Sequence, residues 1–229
     1  MKNAKIIAFD ADDTLWHNEP YFDEAQARFC KLFQDFASSQ EILGMILNHQ
    51  VKNLPIYGFG IKAFTLSMIE TALKITDNNI SGKGIEQIIT IGKDLLQKPV
   101  ELMPNVENVL QELHGNYKLV MATKGDLKDQ HRKLHDSGIG HYFHHIEVLS
   151  DKTELDYEKM LGRLEIKAED FLMVGNSLKS DILPIINLGG FGIHVPYATT
   201  WEYEKIDFEI EHENFLALNN IEEVLNILK

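Results

Sequence analysis

Asp10, Asp12 and Asp13 place three carboxylates within four consecutive positions, immediately after the apolar run Ile6, Ile7, Ala8 and Phe9. Like charges a few ångströms apart repel and raise one another's pKa. A folded chain therefore gathers them in a pocket only with a cation between them or with a proton shared. Both remedies are chemistry. The alternative is a solvated acidic turn after an edge strand, and the order of residue types weighs against it. Asp10 and Asp12, two apart on extended backbone, point the same way; Asp13 points elsewhere, and Thr14 follows with a hydroxyl that can bond the turn. Other apolar runs also end in polar groups: Thr123 after 118–122, Ser150, Asp151 and Lys152 after 145–149, and the stretch Asn176 to Asp181 after 171–175.

Residues so far apart meet only if the runs that carry them are strands of one sheet. Strand and helix patterns alternate from Pro104 onward. A helix carrying Val106, Val109, Leu110 and Leu113 ends at Gly115, and 118–123 is a buried strand. A helix follows from about Asp126 to Gly138, then a weaker strand at 145–149, a helix over 153–164 and a strand over 171–175. The spacing next predicts a helix over 178–188, a strand over 192–195, a short apolar segment at 215–218, and a last helix with Ile221, Val224, Leu225 and Leu228 inward. Such alternation argues a parallel sheet with helices on both faces, its ligand crevice at the carboxyl ends of the strands.

Between Leu15 and Pro99 the period is helical throughout. Phe22, Ala25, Phe29, Leu32, Phe33 and Phe36 mark one helix, 42–47 a second, Ile61, Phe64, Met68, Ala72 and Ile75 a third, and Ile85, Ile88, Ile89, Leu95 and Leu96 a fourth. Turns are expected at 55–60 and 78–84. The strands resume afterwards, so this bundle is inserted. The expected fold is α/β, a Rossmann-like doubly wound parallel sheet core (1–16 and 100–229) with an inserted all-helical cap domain (17–99).

Lys plus Arg number 22 against 35 Asp plus Glu, a net charge of −13, and no basic run stands out. That field repels nucleic acid and anionic membrane, so neither is an expected partner, and an anionic substrate needs local help from a metal or a few lysines. Cys30 stands alone, which excludes an intrachain disulfide and fits a reducing compartment. The N-terminal apolar run is too short for a signal peptide and no run reaches membrane-spanning length, so the expected location is the cytoplasm. Nothing selects an oligomeric state.

The stretch Phe9-Asp10-Ala11-Asp12-Asp13-Thr14-Leu15 resembles the first motif, Asp-x-Asp-x-Thr, of haloacid dehalogenase superfamily phosphatases. Thr123 matches the second motif, Lys152 is similar to the basic third, and Gly175 to Asp181 resembles the fourth. Alone, Lys152 reads as a surface lysine, and Asn176 and Asp181 as helix caps; four motifs in order on the right elements are the specific signal. The resemblance implies a magnesium-dependent phosphatase of a small phosphorylated molecule. Asp10 would attack phosphorus to form an aspartyl-phosphate, and Asp12 would serve as general acid and base. Thr123, Lys124 and Lys152 would bind the phosphate. The ligands to Mg²⁺ would be Asp10, the main-chain carbonyl of Asp12, Asn176 and Asp181. One departure stands out: Asn176 occupies the place of the family's usual metal-binding Asp, which removes a charge and implies weaker metal binding. The helical insert between the first and second motifs matches the family's helical caps, which open and close on substrate.

Other readings remain beside this one. A dehalogenase needs no acid at Asp12, whereas nothing excludes a phosphomutase. A non-catalytic or weakly active phosphate-binding module of the same fold is the reading from another class, which Asn176 keeps open; receiver-type signalling modules also combine an acidic pair, a Thr and a Lys, but carry no such insert. His131 and His135 have zinc-pair spacing with Arg132 where a catalytic Glu would stand. Trp16 is expected to pack.

Overall fold

The computed structural model describes residue 1 and residues 4–228. Its centre is β1, Ile6–Phe9, buried along its whole length. A strand without a polar face belongs in the middle of a parallel sheet covered on both sides. The other strands are β2 (Lys118–Lys124), β3 (His145–Leu149), β4 (Phe171–Gly175), β5 (Phe191–His194) and β6 (Phe215–Ala217), and all pairings in the sheet are parallel, in the order β3-β2-β1-β4-β5-β6. The register sets Phe9 beside Met121 and Val174, and the ladder runs one residue further, Asp10 N–H donating to Val174 O at 2.9 Å. The chain builds outward from β1 through β2 to β3 and then returns to the opposite side through β4. The reversal leaves a crevice at the carboxyl ends of β1 and β4.

Along the chain the helices are α1 (Glu19–Leu32), α2 (Ser39–Tyr57), α3 (Ile61–Ile75), α4 (Gly82–Leu96), α5 (Val106–His114), α6 (Leu127–Ser137), α7 (Glu154–Arg163), α8 (Leu183–Asn187) and α9 (Val224–Leu228). One sheet face, with Ile7, Phe9, Met121 and Val174, packs on Val109, Leu110 and Leu113 of α5 and on Val224 and Leu225 of α9. The other face, with Ala8, Val120 and Met173, packs on Tyr157, Met160 and Leu161 of α7. Two compact units result: Met1–His17 with Val100–Lys229, and Asn18–Pro99. Among the described residues no helix is long and apolar enough to cross a membrane.

The second unit is all helical, α1 to α4, around Phe29, Ile42, Ile46, Phe64, Met68, Ile88 and Leu95. A capping box of Ser38 and Glu41 starts α2. The turn expected from Pro55 comes later, because α2 runs through the proline to Tyr57. In the last turn a proline forfeits a single intrahelical bond, and Gly58 N–H then closes the helix on Leu54 O at 2.9 Å. Phe36, expected on the inner face of α1, is 61% exposed, because α1 ends at Leu32 and the helical register with it. The helix expected over 178–188 opens instead with a π turn, Leu178–Ile182, before α8. Pro184 has no N–H for Ser180 O, so the turn closes wider, Leu183 N–H reaching Leu178 O.

Candidate active site

Four strand ends deliver the site. Asp10 leaves β1 and is 6% exposed; Lys152 follows β3 at 3%, and Asp181 lies beyond β4 at 1%. Lys152 Nζ donates to Asp10 Oδ1 and, at 2.6 Å, to Asp181 Oδ1. The other Asp181 oxygen accepts Ser177 N–H at 2.9 Å. Asp181 reaches so far under the loop that a Cβ on Gly175 would stand 2.2 Å from its Oδ2, so glycine is required there.

Burial raises the Asp10 carboxyl to about 7, with the Asp181 charge acting the same way and Lys152 opposing both. Lys152 is the mirror case. Burial disfavours its charge, yet the two carboxylates outweigh that and hold it well above the ordinary lysine range. One cation between two buried carboxylates leaves Asp10 close to exchanging a proton near neutral pH.

Thr14 ties the first and fourth motifs together. Its hydroxyl accepts Asn176 N–H at 3.1 Å, and its single proton faces Asp10 Oδ2 at 3.3 Å and Asn176 Oδ1 at 3.2 Å. Two hard oxygens therefore converge on one hydroxyl. His194 Nε2–H donates to the Asn176 carbonyl at 3.0 Å and fixes the loop from β5. The turn itself winds on Ala11, whose carbonyl accepts Leu15 N–H at 2.8 Å, and Asp13 sits at φ 63.

Asp12 is held from elsewhere. Trp16 Nε1–H and Lys133 Nζ donate to its Oδ1 at 2.7 and 2.5 Å, and Gln130 Nε2–H donates to its Oδ2 at 2.8 Å. Burial pushes its pKa up, but the Lys133 charge and the three donors outweigh burial and hold the carboxyl below its ordinary value. Trp16 packs as expected, fully buried, and carries this hydrogen bond as well.

Thr123 is 1% exposed, its hydroxyl on the Lys124 carbonyl at 3.4 Å. Lys124 Nζ donates to Ser180 Oγ at 2.8 Å and pairs with Glu204. Glu204 also accepts the Ser177 and Ser180 hydroxyls, each at 2.6 Å. Burial raises the Glu204 carboxyl, but Lys124 and these hydroxyls bring it below its ordinary value.

The residues named from sequence thus fall into linked groups: Asp10, Lys152 and Asp181; Asp10, Thr14 and Asn176; and Lys124 with Ser180. Gln130, Lys133 and Glu204 escaped sequence reading. For the first two a signal existed. The eleven residues of α6 include only two leucines, so a helix that packs on this core has to bury polar groups. Glu204 lies in an irregular loop with no pattern to mark it.

A parallel sheet that gathers carboxylates, a lysine and a threonine at its strand ends marks a doubly wound α/β protein with a candidate site at its topological switch point. The model of the haloacid dehalogenase-like hydrolases matches residues 4–189. The chain belongs to that family. A haloacid dehalogenase-like family hydrolase from Xanthomonas campestris is 34% identical, with a TM-score of 0.85 over 99% of this chain and 92% of that one. The glyceraldehyde 3-phosphate phosphatase of Methanocaldococcus jannaschii is 27% identical over 98% of this chain and 97% of its own length. The phosphoglycolate phosphatase of Vibrio cholerae is 27% identical over 86% of each chain.

Proposed function

We propose that this hydrolase is a magnesium-dependent phosphatase of small organic phosphomonoesters and works through an aspartyl-phosphate on Asp10. The single observation that carries the reading is the buried cluster of Asp10, Lys152 and Asp181 at the ends of β1, β3 and β4. A carboxylate in such a place is desolvated and aimed, and the lysine beside it offers charge to phosphoryl oxygens. The names of the curated relatives support the phosphatase class.

In the first half-reaction an Asp10 oxygen bonds phosphorus, the ester P–O bond breaks, and Asp12 gives its proton to the departing oxygen. In the second, water attacks the aspartyl-phosphate, Asp12 takes the water's proton, and Asp10 leaves as a carboxylate with inorganic phosphate. Held below its ordinary pKa, Asp12 rests in the base form that the second step needs. The acid form has to be set up with the substrate dianion in place. Thr123 and Lys152 bind phosphoryl oxygens, and Lys124 lies at the same strand end, tethered by Glu204.

Magnesium takes hard oxygens, one or two carboxylates and several waters, and the donor set fits that demand. Among the described residues no cluster of three or more His, Cys, Asp or Glu side chains is poised for a metal. The convergence of Asp10 Oδ2 and Asn176 Oδ1 on Thr14, with the Asp12 carbonyl, offers a sparse, oxygen-only site. Asp181, with Lys152 and the Ser177 N–H on its oxygens, contributes charge to it. The ion would supply positive charge against the repulsion between carboxylate and phosphate. We also propose residues 1–16 with 100–229 as the catalytic domain, residues 17–99 as a second domain, and a cytoplasmic enzyme without nucleic-acid or membrane partners.

The test is phosphate release from a panel of small phosphomonoesters, glyceraldehyde 3-phosphate and phosphoglycolate among them, with and without magnesium. Metal-dependent release that falls on the order of 10⁴-fold in Asp10→Asn is expected. No release from any ester by folded protein in millimolar magnesium overturns the reading.

A further inference from the structure

Asp12 is gripped both from its own turn and from far along the chain. Its three donors come from Trp16 at its own turn and from Gln130 and Lys133, one α6 turn apart. Gln130 is 2% exposed and Lys133 7%, so α6 turns polar groups inward where a leucine would pack more cheaply.

Gln130 is itself locked. Its amide nitrogen donates to both Asp12 Oδ2 and the Lys124 carbonyl, the latter at 2.9 Å. The reverse orientation would set Oε1 against two acceptors, which fixes which end of the amide faces Asp12. The nitrogen also lies 3.0 Å from where a Cβ on Gly125 would be, and Gly125 holds φ +132, so a larger residue there would displace the amide. In this orientation Gln130 Oε1 is buried with no hydrogen-bond partner among the described residues. An unmade buried hydrogen bond is unfavourable, and the amide keeps this orientation because its nitrogen serves both Asp12 and the Lys124 carbonyl.

We propose that Gln130 and Lys133 are positioning residues for proton transfer at Asp12. The proposal rests on the phosphatase reading and goes beyond it. A general acid acts only within hydrogen-bond reach of the oxygen it protonates, with its own oxygen correctly aimed. An aspartate has two torsions to lose, and donors on both oxygens fix the plane of its carboxylate. Lys133 and Trp16 occupy one oxygen and Gln130 the other, which sets the direction in which a proton is given and later taken. Neither Gln130 nor Lys133 needs to touch the substrate.

A proton on the departing oxygen matters for an alkyl phosphate and little for p-nitrophenyl phosphate, whose leaving group departs as a stable anion. The two residues should therefore be read in the ratio of kcat/KM for an alkyl ester to that for the aryl ester. Gln130→Leu and Lys133→Met are expected to lower that ratio by about tenfold to a hundredfold, within the range that acid–base catalysis spans, with kcat falling on both esters because the second half-reaction is common to them. Lys133→Arg should restore part of it. Circular dichroism and thermal melting of each variant establish that it is folded, and if Lys133→Met does not fold, Gln130→Leu decides alone. Equal loss of kcat/KM on both esters in a folded variant, or no loss on either, overturns the proposal. The alkyl ester is one that the wild type hydrolyses in the panel above; if it hydrolyses none of that panel, the phosphatase reading falls, an outcome distinguishable because no ratio then exists.

Discussion

Two buried polar clusters in this chain solve the problem of desolvated polar groups in opposite ways. In the helical unit, His49 Nδ1–H donates to Thr71 Oγ, since that hydroxyl's own proton goes to Ser67 O at 2.7 Å. Asn53 donates to Ser67 Oγ at 3.3 Å and to Glu70 at 3.0 Å, and Tyr57 adds a second bond to Glu70 at 2.9 Å. The donors of His49, Asn53, Tyr57 and Thr71 each find an acceptor, and Glu70, the charged member, keeps contact with solvent. At the strand ends of the α/β unit, Asp10, Asp181 and Lys152 are buried together with their charges unbalanced. The first cluster is complete and pins the register of α2 against α3. The second is balanced only when another positive charge or a proton joins it, which separates a seam that holds two helices together from a candidate site.

The largest expected effect on stability tests that imbalance. Lys152→Met leaves Asp10 and Asp181 buried against each other, and removing one partner of a buried charge set is destabilising by about 3–5 kcal/mol. Urea unfolding at pH 8 should show that loss, and lowering the pH toward 5 should recover part of it, because two carboxylates can share a proton. A loss below about 1 kcal/mol, against the range for buried pairs, would place the cluster with the satisfied seam of the helical unit.

The next effect is the pH dependence of stability. With its pKa raised from 3.8 to about 7, native Asp10 keeps a proton that the unfolded chain releases. Its contribution is full below pH 3.8 and is lost as pH rises through about 7, a fall on the order of a few kcal/mol. Asp12, with its pKa lowered, has the opposite sign, its contribution present above pH 3.8 and lost as pH falls. Thermal melting from pH 4 to 8 should therefore show a downward slope that Asp10→Asn flattens. Magnesium should raise the wild-type melting temperature most at the upper end. An unchanged slope in Asp10→Asn would mean that Asp10 is not the group responsible.

The same contrast explains what could be read in the sequence. The sheet was legible because β1, β2 and β4 are apolar runs that a parallel sheet requires, each ending in a polar residue. That Asp10, Lys152 and Asp181 would meet was legible because the carboxyl edge collects strand ends, but Lys152 and Asn176 were singled out only by the resemblance to the third and fourth motifs. Of the donors on α6, the sequence signals only that such a leucine-poor helix must bury polar groups, not which ones or against what. Gln130 and Lys133 reach Asp12 across more than a hundred positions, and no local period reports a contact between α6 and the first turn. The π turn was hidden for a different reason: Pro184 is compatible with an ordinary helix start, and only the missing partner for Ser180 O widens the turn. Glu204 was hidden because irregular loops carry no period, although a loop residue supplies the acceptor that gathers Lys124, Ser177 and Ser180.

The smallest effect belongs to the helical unit and marks the other end of the comparison. Asn53 is 4% exposed, and its amide hydrogens are both used, on Ser67 and on Glu70. Asn53→Leu keeps the volume and removes both bonds, leaving a buried serine hydroxyl without its donor. The expected loss is about 1–3 kcal/mol, nearer the lower figure because Glu70 remains hydrated. Asn53 is also the first cause of the lowered Glu70 carboxyl, so in the variant that carboxyl should titrate closer to its ordinary value by NMR. Removing Ser67 as well, in Asn53→Leu with Ser67→Ala, should return part of the stability, since two partners deleted together leave less unsatisfied than one. That recovery is what a closed, self-sufficient seam predicts. Were the double variant less stable than the sum of the singles, the seam would carry a demand beyond its own hydrogen bonds, and the contrast with the strand-end cluster would fail at this end.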